Sequence, residues 1–388
     1  MAAVLRLLKK SSGAQACSLW RVLALQKMRP ATMAGVGRTV TLAHGSGGTK
    51  TRELVELFRA RLGNAFLNPL DDSALLAPDD LGAEAGSRFA FTTDSFTVAP
   101  LFFPGGDIGK LAINGTVNDL ACLGAIPRFL SLGVIIEEGF GFDDLERIIA
   151  SIAEAASIAG VQVACGDSKV VGHRQADGMF INTSGIGVIA PGVELGAKRV
   201  QPGDIVIVTG PLGEHAITIA IARDKLPMQA DTKSDCAPLT QLVQAALTAG
   251  GNSLHTARDL TRGGLAAAVC EIAESSGTRV LLDESAVPAS AAVRGACDLL
   301  GFDFLELANE GKMVLFAAPD RAEAVLKAVR ATQQGRDAAI VGRVLQADEY
   351  EKYNLSAMRT HPLALMSTEV GGVRVVEPPS GELLPRIC

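Results

Sequence analysis

Four short acidic stretches stand out in a chain that is otherwise mostly apolar: "DDS" at 71–73, "TTD" at 92–94, "ND" at 118–119 and "GDSK" at 166–169. Each falls at a strand end or among apolar neighbours. Carboxylates gathered away from water repel one another and are costly to desolvate, so a converging set implies a cation. Oxygen ligands with nucleotide phosphates nearby suit Mg2+. One such aspartate is ordinarily a cap or turn residue. Four together shift the balance toward a shared site.

Three further stretches carry charge in places that shape alone does not explain. "HGSGGTKT" (44–51) precedes a helix signal, so its glycines can turn backbone N–H groups toward an anion at a helix start. It is not a Walker A loop, because Thr49 separates Gly48 from Lys50. Taken alone it reads first as a flexible loop. "DLTRGG" (259–264) offers Arg262 either to a phosphate or to Asp259. "NEGK" (309–312) puts Glu310 and Lys312 in a turn before a strand. The chain stops on "PRIC", with Cys388 behind Pro385, Arg386 and Ile387 at the last position.

The elements that must hold these residues follow from periodicity. Residues 88–94, 161–165, 178–189, 204–210, 279–283, 312–318 and 338–344 read as strands. Helix patterns cover 107–125, 142–160, 213–223, 238–249, 261–276 and 320–331. In the first, Ile108, Leu111, Ala112, Val117, Leu120 and Ala121 form one stripe; in the second, Asp143 is the expected N-cap. The pattern restarts near Gly192–Pro202, which divides two α+β domains. After Val344 it decays into a Gly/Pro-containing tail, which from Gly371 could reach on the order of 50 Å if extended.

The chain has 388 residues, 48% hydrophobic and 20% charged, enough for two or three domains. A net charge of −6 argues against a nucleic-acid surface. No apolar run approaches the roughly 20 residues of a membrane span. Seven scattered cysteines without a CxxC pair point to a reducing cytosol, six of them as small buried residues. No acidic residue precedes Glu53, while seven basic ones occur up to Arg38. That composition fits a targeting peptide; an over-long start, with translation beginning at Met28 or Met33, is the favoured reading, and the segment is expected to be poorly ordered.

Together, "HGSGGTK", "TTDSFTVAPLFFPGGDIGKLAINGTVNDLACLGAIPR", "GDSKVV", "DLTRGG", "ANEGK" and "PRIC" resemble the HypE family, the carbamoyl dehydratases of NiFe-hydrogenase maturation. Order and spacing agree over roughly 40–345 and the tail. The resemblance implies an α+β fold of two α/β domains of the aminoimidazole ribonucleotide synthetase-like type with a flexible C-terminal tail. The expected division is an extension over 1–38, an ATP-binding and dimerisation domain over 39–198, a second α/β domain over 199–346, and an insertion and tail over 347–388. It also implies ATP and Mg2+, a homodimer in the cytoplasm, a carbamoyltransferase that loads Cys388, and an iron-cyanide assembly complex that accepts the product. ATP would drive dehydration of the thiocarbamate on Cys388 to a thiocyanate.

Within the resemblance, Asp71, Asp72, Asp94, Asp119 and Asp167 fall in the metal-facing motifs. Gly45, Ser46, Gly47, Gly48, Lys50, Lys110, Asn118 and Arg262 fall where the nucleotide is expected. Lys169 and Glu310 are the proton-transfer pair, with burial pushing the lysine toward neutrality and the glutamate opposing that; a phosphate contact is the equal alternative for Lys169. Arg386 would favour the Cys388 thiolate, and the α-carboxylate would oppose it. Two departures are visible: 347–372 is longer than the family's usual passage into the tail, and Leu70 precedes the acidic pair where glycine is common.

Two other classes compete. A selenophosphate synthetase would carry a reactive cysteine in the glycine-rich region, and "HGSGGTK" has none. A non-enzymatic scaffold that presents its tail would not need "GDSK" and "NEGK".

Overall fold

Alternation and helical periodicity build two sheets in succession. The computed structural model describes residues 38–46, 49–68, 74, 76–223, 231–353, 363–381 and 384–388. The first part runs α1 (Thr49–Leu62), β1 (Arg88–Phe96), α2 (Ile108–Cys122), β2 (Ile126–Glu137), α3 (Phe142–Ala159), β3 (Gln162–Val171) and β4 (Met179–Ile189). Its four strands lie in the order β1-β4-β2-β3. Only the β2–β3 pair is parallel, and α3 supplies the crossover that a parallel pair requires. The helix begins at Phe142 after Gly141, so Asp143 sits in the first turn, where its charge favours the helix dipole, and is not the cap.

Each strand of this sheet has two unlike faces. Ala90 and Phe96 of β1 are buried, with Thr92 and Asp94 between them on the side of α2; Phe89, Phe91, Thr93 and Ser95 point the other way. That second face is open over much of its extent: Phe129 and Val188 are buried against Phe66 and Leu81, but Phe91 is 74% exposed, and Phe89 and Ile135 are exposed as well.

The second part runs β5 (Ile205–Val208), α4 (Glu214–Ala222), α5 (Thr240–Gly250), β6 (Leu254–Asp259), α6 (Gly264–Ser276), β7 (Val280–Asp283), α7 (Ala291–Leu300), β8 (Met313–Ala317), α8 (Pro319–Arg330), β9 (Ala339–Val344), β10 (Ala364–Ser367) and β11 (Val373–Val376). The sheet order is β11-β10-β7-β9-β5-β8-β6. Every residue of β8 is buried, as are Val206, Ile207 and Val208 of β5, which is why both read as continuous apolar runs. The sequence reading did not place β2, β6, α7, β10 or β11. β2 carries Pro127 and Gly133, both of which weaken a strand signal. β10 and β11 fall in the stretch read as tail, and they extend the second sheet beside β7.

α2 also departs from the expected stripe. Asn114, Thr116 and Asn118 are buried along with its apolar residues. The helix packs on α3, on β1 and β4, and on β6 and α5, so it has no solvent face. It is the shared wall between the two sheets. Among the described residues no helix is long and apolar enough to cross a membrane.

Candidate active site

The wall formed by α2 meets three loops of the second sheet, at 234–239, 259–264 and 309–312. Asn118 ties down the first and the third. Its amide nitrogen donates to the carbonyls of Ala237 at 3.1 Å and Glu310 at 3.3 Å, and its oxygen accepts from Leu239 N–H at 2.8 Å. One residue on, Asp119 accepts from Thr92 Oγ1 at 3.0 Å, which joins α2 to β1. Gly263 and Gly264 both have left-handed backbones, at φ 76° and 57°. A Cβ on Gly264 would lie 2.5 Å from the Leu305 carbonyl oxygen. The glycine pair therefore lets α6 start against that loop, with Arg262 just before it.

Charge in this cleft is mostly of one sign. Burial raises the Asp94 pKa, against which its own bond from Ser95 N–H and then Arg262 act. Burial, then Asp259, pushes Asp119 up to about 6. Glu310 is 3% exposed, and its Oε1 has no hydrogen-bond partner among the described residues. Burial raises its pKa well above the usual carboxylate range, and Asp235, Asp259, Asp94 and Asp119 add to the effect. Asp235 goes the other way: burial is the largest single influence and opposes its charge, but the Lys312 ammonium 3.2 Å away, His215 and the bond from Glu310 N–H together outweigh it and lower its pKa. Asp235 also accepts from Glu310 N–H at 3.0 Å.

Among the described residues no cluster of His, Cys, Asp or Glu could hold a metal ion by itself. Mg2+ ordinarily keeps several waters and binds through one or two carboxylates plus phosphate oxygens, so a closed protein cage is not required. The raised pKa values of Asp94, Asp119 and Glu310 fit a cleft short of positive charge, and the unpartnered Oε1 fits one that admits a polar ligand.

The tail comes to the rim of this cleft. Thr97 N–H donates to the terminal oxygen of Cys388 at 2.9 Å, and Thr97 Oγ1 does so at 3.2 Å. Ile387 is buried. Cys388 lines a cavity of about 530 Å3 with Ser95, Thr97, Arg262, Glu306 and Pro379. Arg386 donates to the Thr97 carbonyl at 2.8 Å and pairs with Asp177.

Asp94, Asn118, Asp119, Arg262, Glu310 and Cys388 are thus brought to one region. Others are not. Asp167 and Lys169 lie 3.6 Å apart on β3, opposite Gly133 and Ile135 of β2, and so share the open face of the first sheet. β1 and β3 are opposite edges, about 14 Å apart at three strand spacings. Lys169 is 68% exposed, which corrects the expectation that it is buried next to Glu310. Asp167 likewise does not join Asp94 and Asp119, because strand alternation turns it to the other face. Gly45 packs against Val170 of β3, Ser46 Oγ donates to the Leu42 carbonyl, and Lys50 pairs with Glu53 at 2.9 Å. Lys110 is in the first turn of α2 and donates to the Gly105 carbonyl at 2.8 Å. Gly47, Gly48, Asp71 and Asp72 lie outside the described residues, as does the extension before Arg38.

Arg262 does not pair with Asp259 as one reading allowed; Arg258 approaches Asp259, at 4.0 Å. Of the cysteines read as buried, Cys236, Cys270 and Cys297 are; Cys122 and Cys165 are half-buried, and Cys17 is outside the described residues. The sequence reading missed Asp235, Asn114 and His215. Asn114 Oδ1 is buried with no hydrogen-bond partner among the described residues, while its amide nitrogen faces Cys236 Sγ at 3.5 Å. Nothing local marks Asp235 in "KSDCAP"; its contacts are all distant in sequence.

Comparison with known proteins gives a consistent result. Residues 70–189 match the AIR synthase related protein N-terminal domain, and residues 201–353 match the C-terminal domain of the same group. Carbamoyl dehydratase HypE of Rhodobacter capsulatus is 47% identical over 350 residues, 90% of this chain and 98% of that protein. A crystal structure of hydrogenase maturation protein HypE in complex with ATP is 43% identical, with a TM-score of 0.82 over 90% of this chain and all of that one. A HypE–HypF complex aligns at 41% identity and a TM-score of 0.70, over 86% of this chain and all of that one.

Proposed function

The chain belongs to the carbamoyl dehydratase HypE family, and we propose that it is an ATP-dependent dehydratase whose substrate is a carbamoyl group carried on its own Cys388. The observation that carries this reading is the position of the tail, with Cys388 lining the same cavity as Arg262 at the edge of the acidic cleft. In the proposed reaction the thiocarbamate oxygen attacks the γ-phosphate of ATP and ADP departs. The phosphorylated oxygen then leaves as inorganic phosphate while nitrogen gives up its two protons. A thiocyanate remains on sulfur, and the oxygen lost from the carbamoyl group ends in phosphate. The cyanide goes on to an iron-cyanide assembly complex and so to the NiFe-hydrogenase iron.

Glu310 is the proton acceptor for nitrogen. A carboxylate with a raised pKa and an open lone pair suits that task near neutral pH. Asp94 and Asp119, with Asp71 and Asp72 from their own motif, would hold Mg2+; when bound it supplies positive charge to the triphosphate and to this carboxylate-rich wall. Arg262 and Lys110 meet phosphate oxygens. Closure of the cleft by the tail keeps water from the activated intermediate.

The open face of the first sheet supports a homodimer, because its exposed Phe89, Phe91 and Ile135, with a polar band of Thr93, Ser95, Asn182 and Ser184 between them, are what a partner sheet would cover. A two-fold axis along the strands lays β1 of one copy over β3 of the other. Asp167, Lys169 and the glycine-rich stretch with Gly45, Ser46, Gly47, Gly48 and Lys50 then serve the partner's cleft. A carbamoyltransferase loads the thiol, as the HypE–HypF complex suggests by analogy, and the reaction belongs to the cytoplasm.

Intact mass tests the reading. Incubation with the carbamoylating partner, carbamoyl phosphate and ATP should add one carbamoyl group at Cys388, followed by loss of one water that requires Mg-ATP. Cys388→Ser should give neither change. An adduct that maps to another cysteine, or none at all, rejects the proposal.

A further inference from the structure

The seat of the tail is built by groups outside the acidic cleft. His215 of α4 is buried, and its Nε2 is 2.8 Å from the Ile387 carbonyl oxygen. A carbonyl only accepts, so Nε2 carries the proton, and Nδ1 accepts from Ser234 Oγ at 2.7 Å. Ser234 Oγ accepts in turn from Cys236 N–H at 3.1 Å. Between these two residues, Asp235 holds the Glu310 amide at 3.0 Å. A continuous run of contacts therefore leads from the tail to the buried acid.

Arg223 ends α4 and grips the same segment from the other side. Its guanidinium donates to the carbonyls of Ala99, Pro385 and Arg386. Ala99 N–H donates to the Arg386 carbonyl at 3.3 Å. His215 and Arg223 thus hold the tail by its main chain and do not depend on the group at sulfur. A thiol, a thiocarbamate and a thiocyanate can all occupy one seat, which a device gripping the sulfur would not permit.

We propose that His215 and Arg223 are positioning residues that seat the tail for reaction, and that His215 links the seated tail to Glu310 through Ser234, Asp235 and Cys236. The inference rests on the reading that Cys388 carries the substrate, but its test does not. The measurement is the rate at which iodoacetamide alkylates Cys388 in the unloaded full-length protein, with peptide mass mapping to separate the other thiols. Arg223→Ala and His215→Ala should each raise that rate about tenfold, the equivalent of one or two net hydrogen bonds. His215→Gln, whose amide can still donate to the Ile387 carbonyl, should stay within about twofold of wild type.

The link has its own readout. Removal of residues 385–388 should speed amide hydrogen exchange at Glu310 about tenfold in wild type and leave it unchanged in His215→Ala. If His215→Ala does not fold, Arg223→Ala and His215→Gln decide the latch, and His215→Gln replaces it in the exchange experiment, where it should respond as wild type does. Unchanged alkylation in Arg223→Ala overturns the latch. Exchange at Glu310 that ignores loss of the tail overturns the link. Altered alkylation in a protein that never accepts a carbamoyl group would instead reject the proposed function and leave the latch standing.

Discussion

Burial first, and then the carboxylates of Asp235, Asp259, Asp94 and Asp119, hold the Glu310 pKa well above the usual range. Glu310→Gln keeps the shape and removes the base, so dehydration of carbamoylated protein should slow about 100-fold or more while loading of Cys388 is unchanged, both read by intact mass. Asp119 gives a pH test. Its folded pKa of about 6 lies above the ordinary 3.8, so its contribution is fully present below 3.8 and is lost as pH rises through about 6. Asp119→Asn keeps the acceptor for Thr92 and does not ionise. The melting temperature of the variant should therefore gain on wild type by roughly 2–4 °C between acidic and neutral pH, the half-buried position holding the effect below the full shift. At this scale Asp94, Asp119, Arg262, Glu310 and Cys388 were legible as candidates because each stands in a motif. Asp235 and His215 were not, because their roles consist of contacts with residues far along the chain.

At the scale of elements, α2 decides the site, since it carries Asn118 and Asp119 and touches both sheets. Gly115 sits where the helix crosses β1, and a Cβ there would lie 2.8 Å from the Phe96 ring. Gly115→Ala should destabilise the protein by about 1–3 kcal/mol in chemical denaturation and loosen the Thr92–Asp119 contact. Gly295, in α7, has nothing within 4 Å of its added Cβ; Gly295→Ala should instead stabilise by about 0.5–1 kcal/mol. The same contrast explains what periodicity revealed. α3 and α8 each have one buried face and were legible as stripes. α2 was legible as a helix, but its polar buried positions were not, because no local pattern announces a wall shared by two sheets. β10 and β11 read as tail because β10 pairs with β7 about 84 residues upstream and β11 pairs only with β10, so both depend on a long-range register that no local pattern encodes.

At the scale of the whole molecule, the candidate site residues divide between two edges of one sheet. Asp94 faces α2 at the β1 edge, and Lys169 faces outward at the β3 edge. No rotamer of Lys169 crosses the sheet. If both serve one reaction they must come from different copies, joined through the open face. Phe91→Glu puts a charge on the most exposed apolar side chain of that face, at the β1 edge, and should give monomers in light scattering, with dehydration lost in proportion. The sharper experiment mixes two inactive variants, Asp94→Asn and Lys169→Ala. When subunits exchange at random, half the dimers are mixed, and each mixed dimer holds one site with both residues intact. Activity should return to about a quarter of wild type. If both residues act within one chain, every site in every dimer keeps a defect and mixing restores nothing. Recovery near a quarter would therefore establish that Lys169 works in the partner's cleft, and its absence would assign Lys169 to a role outside the reaction or within its own chain.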